Sequence, residues 1–166
     1  GQGRTGSGKT LAFALPLIAR LATTKVARQA NRPRALILVP TRELVIQIVN
    51  EIEKLTPYVS IRAIGVYGGT NNITAQKKGI LEGQDIIVGT PRRFYDLVHA
   101  NVLRLKSIKK LVIDEVDIML DFGYKTQLNN IFEHLPIKRQ NILFSATMTT
   151  YVDALIDDVI AETIGE

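Results

Sequence analysis

The stretch GRTGSGKT occupies residues 3–10, and the apolar-rich run LAFALPLIARLA follows it directly. Glycines let backbone N–H groups turn toward phosphate oxygens without obstruction by a Cβ atom, and a helix N-terminus adds partial positive charge. The pattern predicts a phosphate-binding loop in which Lys9 reaches the β- and γ-phosphates and Thr10 ligates Mg²⁺. The predicted nucleotide-binding residues of this loop are Gly3, Arg4, Thr5, Gly6, Ser7, Gly8, Lys9 and Thr10.

The composition indicates one globular domain and narrows the range of partners. The 166 residues are 46% apolar and 22% charged, which suits a single core. The chain has no cysteine, which excludes a disulfide framework, thiolate metal sites and cysteine nucleophiles. A net charge of +5, spread along the chain, favours a polyanionic partner. No apolar run is long enough to span a bilayer, so we expect no membrane partner. A cytoplasmic location is the default expectation for a chain of this composition.

Short apolar runs alternate with longer helical patterns. The predicted strands are residues 35–39, 61–66, 85–89, 110–114 and 141–146, and the predicted helices are residues 9–23, 43–56, 72–82, 91–100, 124–134 and 149–160. The strand runs lack apolar–polar alternation, which favours strands buried on both faces. The order predicts an α/β fold with a doubly wound, mostly parallel sheet and ligands at the carboxyl ends of its strands. The polar, basic residues 23–34 are predicted to form an exposed loop.

An acidic cluster follows the fourth apolar run in the stretch LVIDEVD, residues 111–117. At the end of a buried strand, Asp114 is placed to hold Mg²⁺, largely through water. Glu115 beside it is placed to orient and deprotonate an attacking water. A glutamate in that position favours hydrolysis over transfer to a small acceptor. We therefore predict an ATPase in which Lys9, Asp114 and Glu115 are catalytic.

Four further short motifs stand at the ends of the other predicted strands. They are PTREL (40–44), YGG (67–69), TPRR (90–93) and SAT (145–147). Together with GRTGSGKT and DEVD, this succession resembles the first RecA-like domain of the DEAD-box RNA helicases, from residue 3 to about residue 159. The resemblance implies a RecA-like P-loop NTPase fold, ATP and Mg²⁺ as ligands, and RNA as the partner.

The resemblance also assigns roles to the loop residues. Those implied to hold the RNA backbone, irrespective of base sequence, are Pro40, Thr41, Arg42, Gly68, Gly69, Thr90, Pro91 and Arg93. The hydroxyls of Ser145 and Thr147 are implied to hydrogen-bond Asp117 and so couple the ATP site to the RNA surface. The whole of residues 1–166 is expected to be an N-terminally truncated ATP-binding domain, monomeric alone. The resemblance implies that a second RecA-like domain in the parent chain completes the site, and that an upstream segment recognises adenine.

Two positions depart from the family pattern. Val116 stands where the family has alanine, and we expect a modest repacking that leaves activity intact. Arg92 stands where the family commonly has glycine, and it either adds a phosphate contact or obstructs the RNA backbone. Two other functions stay open: an RNA-binding scaffold with a vestigial ATP site, and a related P-loop motor acting on DNA. The sequence does not indicate which RNA is the substrate.

Overall fold

The computed structural model describes residues 7–24, 26–69, 73–147 and 152–157. The strands are β1 (Ala35–Leu38), β2 (Ala63–Val66), β3 (Ile86–Gly89), β4 (Lys110–Ile113) and β5 (Gln140–Leu143). The helices are α1 (Ser7–Thr23), α2 (Arg42–Glu53), α3 (Ile73–Glu82), α4 (Pro91–His99), α5 (Val116–Asp121) and α6 (Lys125–Glu133), and residues 152–157 are also helical. The strands form one parallel sheet in the order β2-β3-β1-β4-β5.

The central strand β1 is buried on both faces, which explains its unbroken apolar sequence. Ala35 and Ile37 belong to the core cluster under α1 and α2, whereas Leu36 and Leu38 belong to the cluster under α4, α5 and α6. All four side chains are fully buried. Because successive side chains of a strand point to opposite faces, a sheet covered by helices on both sides needs apolar residues at every position. The predicted α/β architecture is confirmed.

Burial falls toward the two edges of the sheet. Every residue of β3 is buried, but three of the four residues of β2 are only half-buried, and no residue of β5 is fully buried. The prediction of strands buried on both faces is therefore wrong for β2 and β5. Among the strands that the structure describes, β2 and β5 each have a neighbour on one side only, so the helices above and below the sheet cover them incompletely.

The helices follow the predicted ranges with one exception. Residues 116–121 form α5, a helix of six residues where the sequence predicted none. Helix α1 continues through Pro16 as a single element of 17 residues. Of the last predicted helix, residues 152–157 are helical and the other positions lie outside the described residues. Within the part of the chain that the structure describes, no helix is both long and apolar enough to cross a membrane.

Candidate functional site at the carboxyl edge of the sheet

Backbone hydrogen bonds bring the ends of the five strands to one edge. The register pairs Leu38 with Gly89 on one side and with Ile113 on the other. The pairing continues one residue beyond the strands, since the Asp114 N–H donates to the Leu38 carbonyl at 3.0 Å and Phe144 N–H to the Ile113 carbonyl at 2.9 Å. The chain runs from β1 to one side of the sheet and later returns to the other, so a topological switch point lies between β1 and β4. Ligands of open parallel sheets bind at this kind of position.

The acidic pair lies directly at that switch point. Asp114 is fully buried and Glu115 is 9% exposed. Glu115 adopts a left-handed conformation with φ 57° and ψ 48°, which costs a residue other than glycine about 1–2 kcal/mol. Three hydrogen bonds hold this turn: Glu115 N–H to Asp114 Oδ1 at 2.8 Å, Val116 N–H to the Phe144 carbonyl, and Met119 N–H to the Glu115 carbonyl. Backbone strain that the surrounding structure fixes in this way is typical of functional sites.

Val116, the departure within DEVD, is fully buried and faces the core on the side of α4, α5 and α6. We expect Val116→Ala to lower the free energy of unfolding by about 1–3 kcal/mol, because two buried methyl groups are lost and a cavity is left. ATP turnover is expected to change less than about twofold, since the apolar Val116 side chain packs in the core and carries no group that could bind nucleotide or water. Urea unfolding checks the stability, with Val26→Ala as control because Val26 is 52% exposed. Equal losses in both variants would contradict this packing.

Asp117 connects the acidic loop with the loop after β5. Its Oδ2 accepts hydrogen bonds from the Thr147 hydroxyl at 2.8 Å and from the Thr147 N–H at 3.1 Å, while Oδ1 accepts from the Ile118 N–H at 3.0 Å. The Ser145 hydroxyl donates to the Thr147 carbonyl at 2.7 Å. Burial raises the pKa of Asp117, but hydrogen bonds from Thr147, the Ile118 N–H and the Ser145 hydroxyl lower it below its ordinary value of 3.8. The contact is therefore between a carboxylate and a hydroxyl, while its coupling role stays a prediction.

A second group of residues gathers around the loop after β2. A Cβ atom at Gly68 would lie 3.6 Å from Nη2 of Arg93, and one at Gly69 would lie 3.5 Å from Nη1 of Arg42. Gly69 has φ 83°, a conformation that other residues adopt only with strain. The glycine loop thus lies between the two arginines predicted to contact RNA. The structure brings three of the four strand-end motifs, PTREL, YGG and TPRR, into one cluster with its positive charge facing the glycines.

Gln76 of α3 holds two of these loops together, a role that the sequence did not predict. It is 5% exposed. Its Oε1 accepts hydrogen bonds from Arg93 Nη1 at 2.7 Å and from the Tyr67 N–H at 3.3 Å, and its Nε2 donates to the Tyr67 carbonyl at 3.1 Å. A signal was available: Gln76 lies three and four residues before the buried Gly79 and Ile80, so helical spacing places it on the buried face of α3.

We expect Gln76→Leu to weaken binding of single-stranded RNA by about threefold to tenfold, because Arg93 and the Tyr67 peptide lose partners worth about 1–3 kcal/mol when left unpaired. Nucleotide affinity is expected to stay unchanged, which separates a positioning role from general unfolding. Fluorescence anisotropy with labelled RNA and with a labelled nucleotide measures both. Gln47→Leu is the control because Gln47 is exposed on α2. Equal RNA binding by both variants would refute this role of Gln76.

The remaining predicted RNA-binding residues occupy helix starts. Thr41 is the N-cap of α2, and its hydroxyl oxygen accepts from the Leu44 N–H at 3.3 Å. Thr90 precedes α4 and is 8% exposed, with Pro91 buried in the first turn behind it. Arg92 points along α4 toward solvent, where its Nε lies 3.6 Å from Asp96 Oδ1 and the side chain is 66% exposed.

Part of the predicted nucleotide site lies outside the described residues. Gly3, Arg4, Thr5 and Gly6 belong to that part. Ser7, Gly8, Lys9 and Thr10 form the first turn of α1, but their side chains lie outside the description. The backbone begins α1 at Ser7, two residues before the helix start at residue 9 that the sequence predicted. The phosphate-binding roles of these residues stay predictions. Pro40 is buried just beyond β1, and its predicted contact with RNA also stays a prediction.

Comparison with known proteins identifies the family. The family model described as DEAD/DEAH box helicase matches residues 1–155. The chain belongs to the DEAD/DEAH box helicase family. The crystal structure of the yeast DEAD-box splicing factor Prp28 superposes with a TM-score of 0.85 at 33% sequence identity, over 96% of this chain and 38% of that one. This match confirms the predicted RecA-like fold of the helicase domain.

Curated relatives of the helicase family agree with this assignment. ATP-dependent RNA helicase CshA of Listeria monocytogenes is 41% identical over 148 residues, covering 89% of this chain and 27% of that protein. ATP-dependent RNA helicase RhlB of Shewanella sediminis is 39% identical over 162 residues, covering 95% of this chain and 37% of that protein. The chain therefore spans less than two-fifths of the length of these relatives.

Proposed function

We propose that this domain binds and hydrolyses ATP and holds RNA by its backbone, so that ATP turnover separates or remodels short RNA duplexes. The observation that carries the proposal is that the acidic pair Asp114–Glu115 and the arginine–glycine cluster lie at one edge of the sheet. Membership of the helicase family supports both ATP hydrolysis and RNA binding, since relatives carry the name ATP-dependent RNA helicase. A second RecA-like domain, a cytoplasmic location and a monomeric state belong to the same proposal.

The residues at the acidic turn suit hydrolysis. Asp114 supplies carboxylate oxygens, which are the donors that Mg²⁺ prefers, and Thr10 would supply a hydroxyl. Mg²⁺, when bound there largely through water, neutralises charge on the phosphates. Lys9 would contact the β- and γ-phosphates, and Glu115 would orient the attacking water and accept its proton. The fixed left-handed turn keeps the Glu115 backbone in place during this proton transfer.

The residues around Gly68 and Gly69 suit a sequence-independent grip on RNA. Peptide N–H groups, helix starts and arginine side chains contact phosphate and sugar without reading base edges. Arg42 is partly exposed beside Gly69, and Gln76 orients Arg93 beside Gly68. We propose that these groups bind consecutive phosphates of one strand.

Strand separation tests this function in the full-length protein. We expect ATP-dependent separation of a short labelled RNA duplex and no separation of the DNA duplex of the same base sequence. Equal separation of DNA would indicate a DNA motor instead. RNA binding without ATP turnover would indicate a scaffold with a vestigial ATP site.

The hydrogen bond between Thr147 and Asp117 is proposed to couple the ATP site to the RNA surface. We expect Thr147→Val to reduce the stimulation of ATP turnover by RNA by about tenfold, because one charge-assisted hydrogen bond worth about 1.5–3 kcal/mol is lost. Affinities for nucleotide and RNA, measured separately, should change little. Thr56→Val is the control, since its hydroxyl donates to the Glu53 carbonyl at 2.8 Å on an exposed surface. Full stimulation in the Thr147 variant would rule out this link.

A further inference from the structure

We propose that a basic pocket at the opposite edge of the sheet binds an acidic peptide segment of a partner protein. This amino-edge pocket encloses about 440 Å³ between the end of α1, residues 26–34 and residues 106–110. Arg34, Asp85 and Lys110 line it, and they stand at or just before the first residues of β1, β3 and β4. Arg42, Arg93 and Asp114 of the proposed RNA and ATP sites follow the last residues of the same three strands. The amino-edge pocket is therefore separate from the site already described.

The charge of the amino-edge pocket is strongly positive. Four arginines and three lysines line it, against one carboxylate, Asp85. The charge of Asp85 is already engaged by Arg28 at 2.9 Å and by Arg34 at 3.0 Å. The side chains with exposed charge around the mouth are Arg20, Arg32, Lys106 and Lys109. None of these four forms an ion pair with another residue that the structure describes.

The inner wall of the amino-edge pocket is fixed in advance. Besides binding Asp85, the Arg28 guanidinium donates to the Ser60 carbonyl at 3.3 Å. The Arg34 guanidinium donates to the Thr24 carbonyl at 3.0 Å and to the Leu21 carbonyl at 3.3 Å. A ligand would therefore meet a wall that needs no reordering, which lowers the entropy cost of binding.

The lining favours a peptide over a nucleic-acid strand. Leu21, Val26 and Ala27 contribute an aliphatic surface, and Val26 is 52% exposed. A nucleic-acid strand offers phosphates and sugars to a basic surface but has no aliphatic side chain that would cover Val26. An aliphatic side chain flanked by carboxylates matches both features, because it would cover Val26 while the carboxylates pair with the arginine and lysine side chains. Charge complementarity thus points to an acidic segment that carries one aliphatic residue.

A fluorescein-labelled peptide in which glutamates flank a single leucine serves as the probe, with the full-length protein. We expect saturable binding that weakens as the salt concentration rises. The double variant Arg32→Glu with Lys106→Glu is expected to lose affinity by at least about tenfold, since two attractions become repulsions. The double variant Lys78→Glu with Lys138→Glu is the matched control: it changes the net charge equally at exposed positions outside the pocket. Duplex separation by both variants verifies that they fold.

Three results would overturn the proposal. The first is binding that both double variants reduce equally, which would indicate attraction by net charge alone. The second is no saturable binding of the peptide, or equal binding of a peptide with glutamine in place of glutamate. The third is that the pocket variant loses affinity for single-stranded RNA rather than for the peptide, which would make this edge part of the RNA surface. Loss of peptide binding in the pocket variant alone, with RNA binding retained, supports the proposal.

Discussion

Replacing Glu115 with Gln is expected to lower ATP turnover by about 100-fold to 10,000-fold, the range that a positioned general base contributes. The amide keeps the size of the side chain but cannot accept a proton from water. The hydrogen bonds of the Glu115 N–H and carbonyl and of the Val116 N–H are made by the backbone and stay available in the variant, so the turn should be preserved. Nucleotide affinity is therefore expected to stay within about twofold.

Turnover of the Glu115→Gln variant is measured in the full-length protein at saturating ATP and RNA, beside binding of a fluorescent ATP analogue. Asp121→Asn is the matched control. Asp121 ends the adjacent helix α5 and is exposed, so this variant should turn over ATP at the rate of the unmodified protein. Turnover of the Glu115 variant close to that of the unmodified protein would remove Glu115 from the chemistry. A parallel loss of nucleotide binding would instead assign it a binding role.

Replacing Asp85 with Ala is expected to lower the free energy of unfolding by about 2–4 kcal/mol, because Arg28, Arg34 and the Arg62 N–H lose their shared hydrogen-bond acceptor. The Asp85 side chain is 3% exposed and joins three segments of the chain. Its Oδ2 accepts from Arg28 Nε and from the Arg62 N–H, both at 2.9 Å, and its Oδ1 accepts from Arg34 Nη2 at 3.0 Å. The free energy of unfolding of a domain is only about 5–15 kcal/mol in total, so the variant should lose a large fraction of it.

Urea unfolding measures the loss in the Asp85→Ala variant. Glu51→Ala is the control because it breaks an ion pair with Lys54 at 2.7 Å whose side chains are 41% and 70% exposed. Exposed pairs contribute at most about 1 kcal/mol. Comparable losses in the two variants would show that Asp85 is not an anchor of the fold.

The same carboxylate should make stability depend on pH in acid. Burial raises the pKa of Asp85, but hydrogen bonds from the Arg62 backbone, Arg28 and Arg34, and the charge of Arg28, lower it below 3.8. A carboxylate with a lowered pKa in the folded state stabilises fully above its unfolded pKa and loses that contribution as the pH falls through the folded value. The unmodified protein should therefore lose stability below about pH 3.8 more steeply than Asp85→Asn does.

The sheet and its functional edge could be predicted from the sequence because the strands are short, apolar and separated by recognisable helix starts. A strand covered on both faces has no polar positions, and runs such as residues 35–39 and 85–89 show this directly. Parallel strands bring their carboxyl ends together, so the motifs at residues 40–44, 90–93 and 114–117 had to meet. Their placement at one edge follows from topology alone.

Helix α5 could not be predicted from its sequence. Six residues cover less than two turns, which is too short for a helical period to show. The helix begins after Glu115, whose left-handed conformation is imposed by the turn. Because Glu115 is not a glycine, the sequence does not indicate that conformation. Its first backbone donor is satisfied by the carbonyl of Phe144, a distant part of the chain.

The polar anchors were also missed, for a related reason. Asp85 binds Arg34 and Arg28, which lie 51 and 57 residues away in sequence, so the segment predicted as an exposed basic loop contains two structural arginines. Gln76 was accessible in principle through its position on the buried face of α3. Its bonds to Arg93 and Tyr67, by contrast, depend on how the loops pack in three dimensions.

Steady-state ATP turnover by the full-length protein, with and without single-stranded RNA, tests the central claim most directly. The claim is that the acidic turn and the arginine–glycine cluster at one sheet edge work as a unit. It predicts low turnover alone, a strong increase with RNA, and no comparable increase with single-stranded DNA of the same length. Turnover that RNA leaves unchanged, in a folded protein that binds both ATP and RNA, would contradict it.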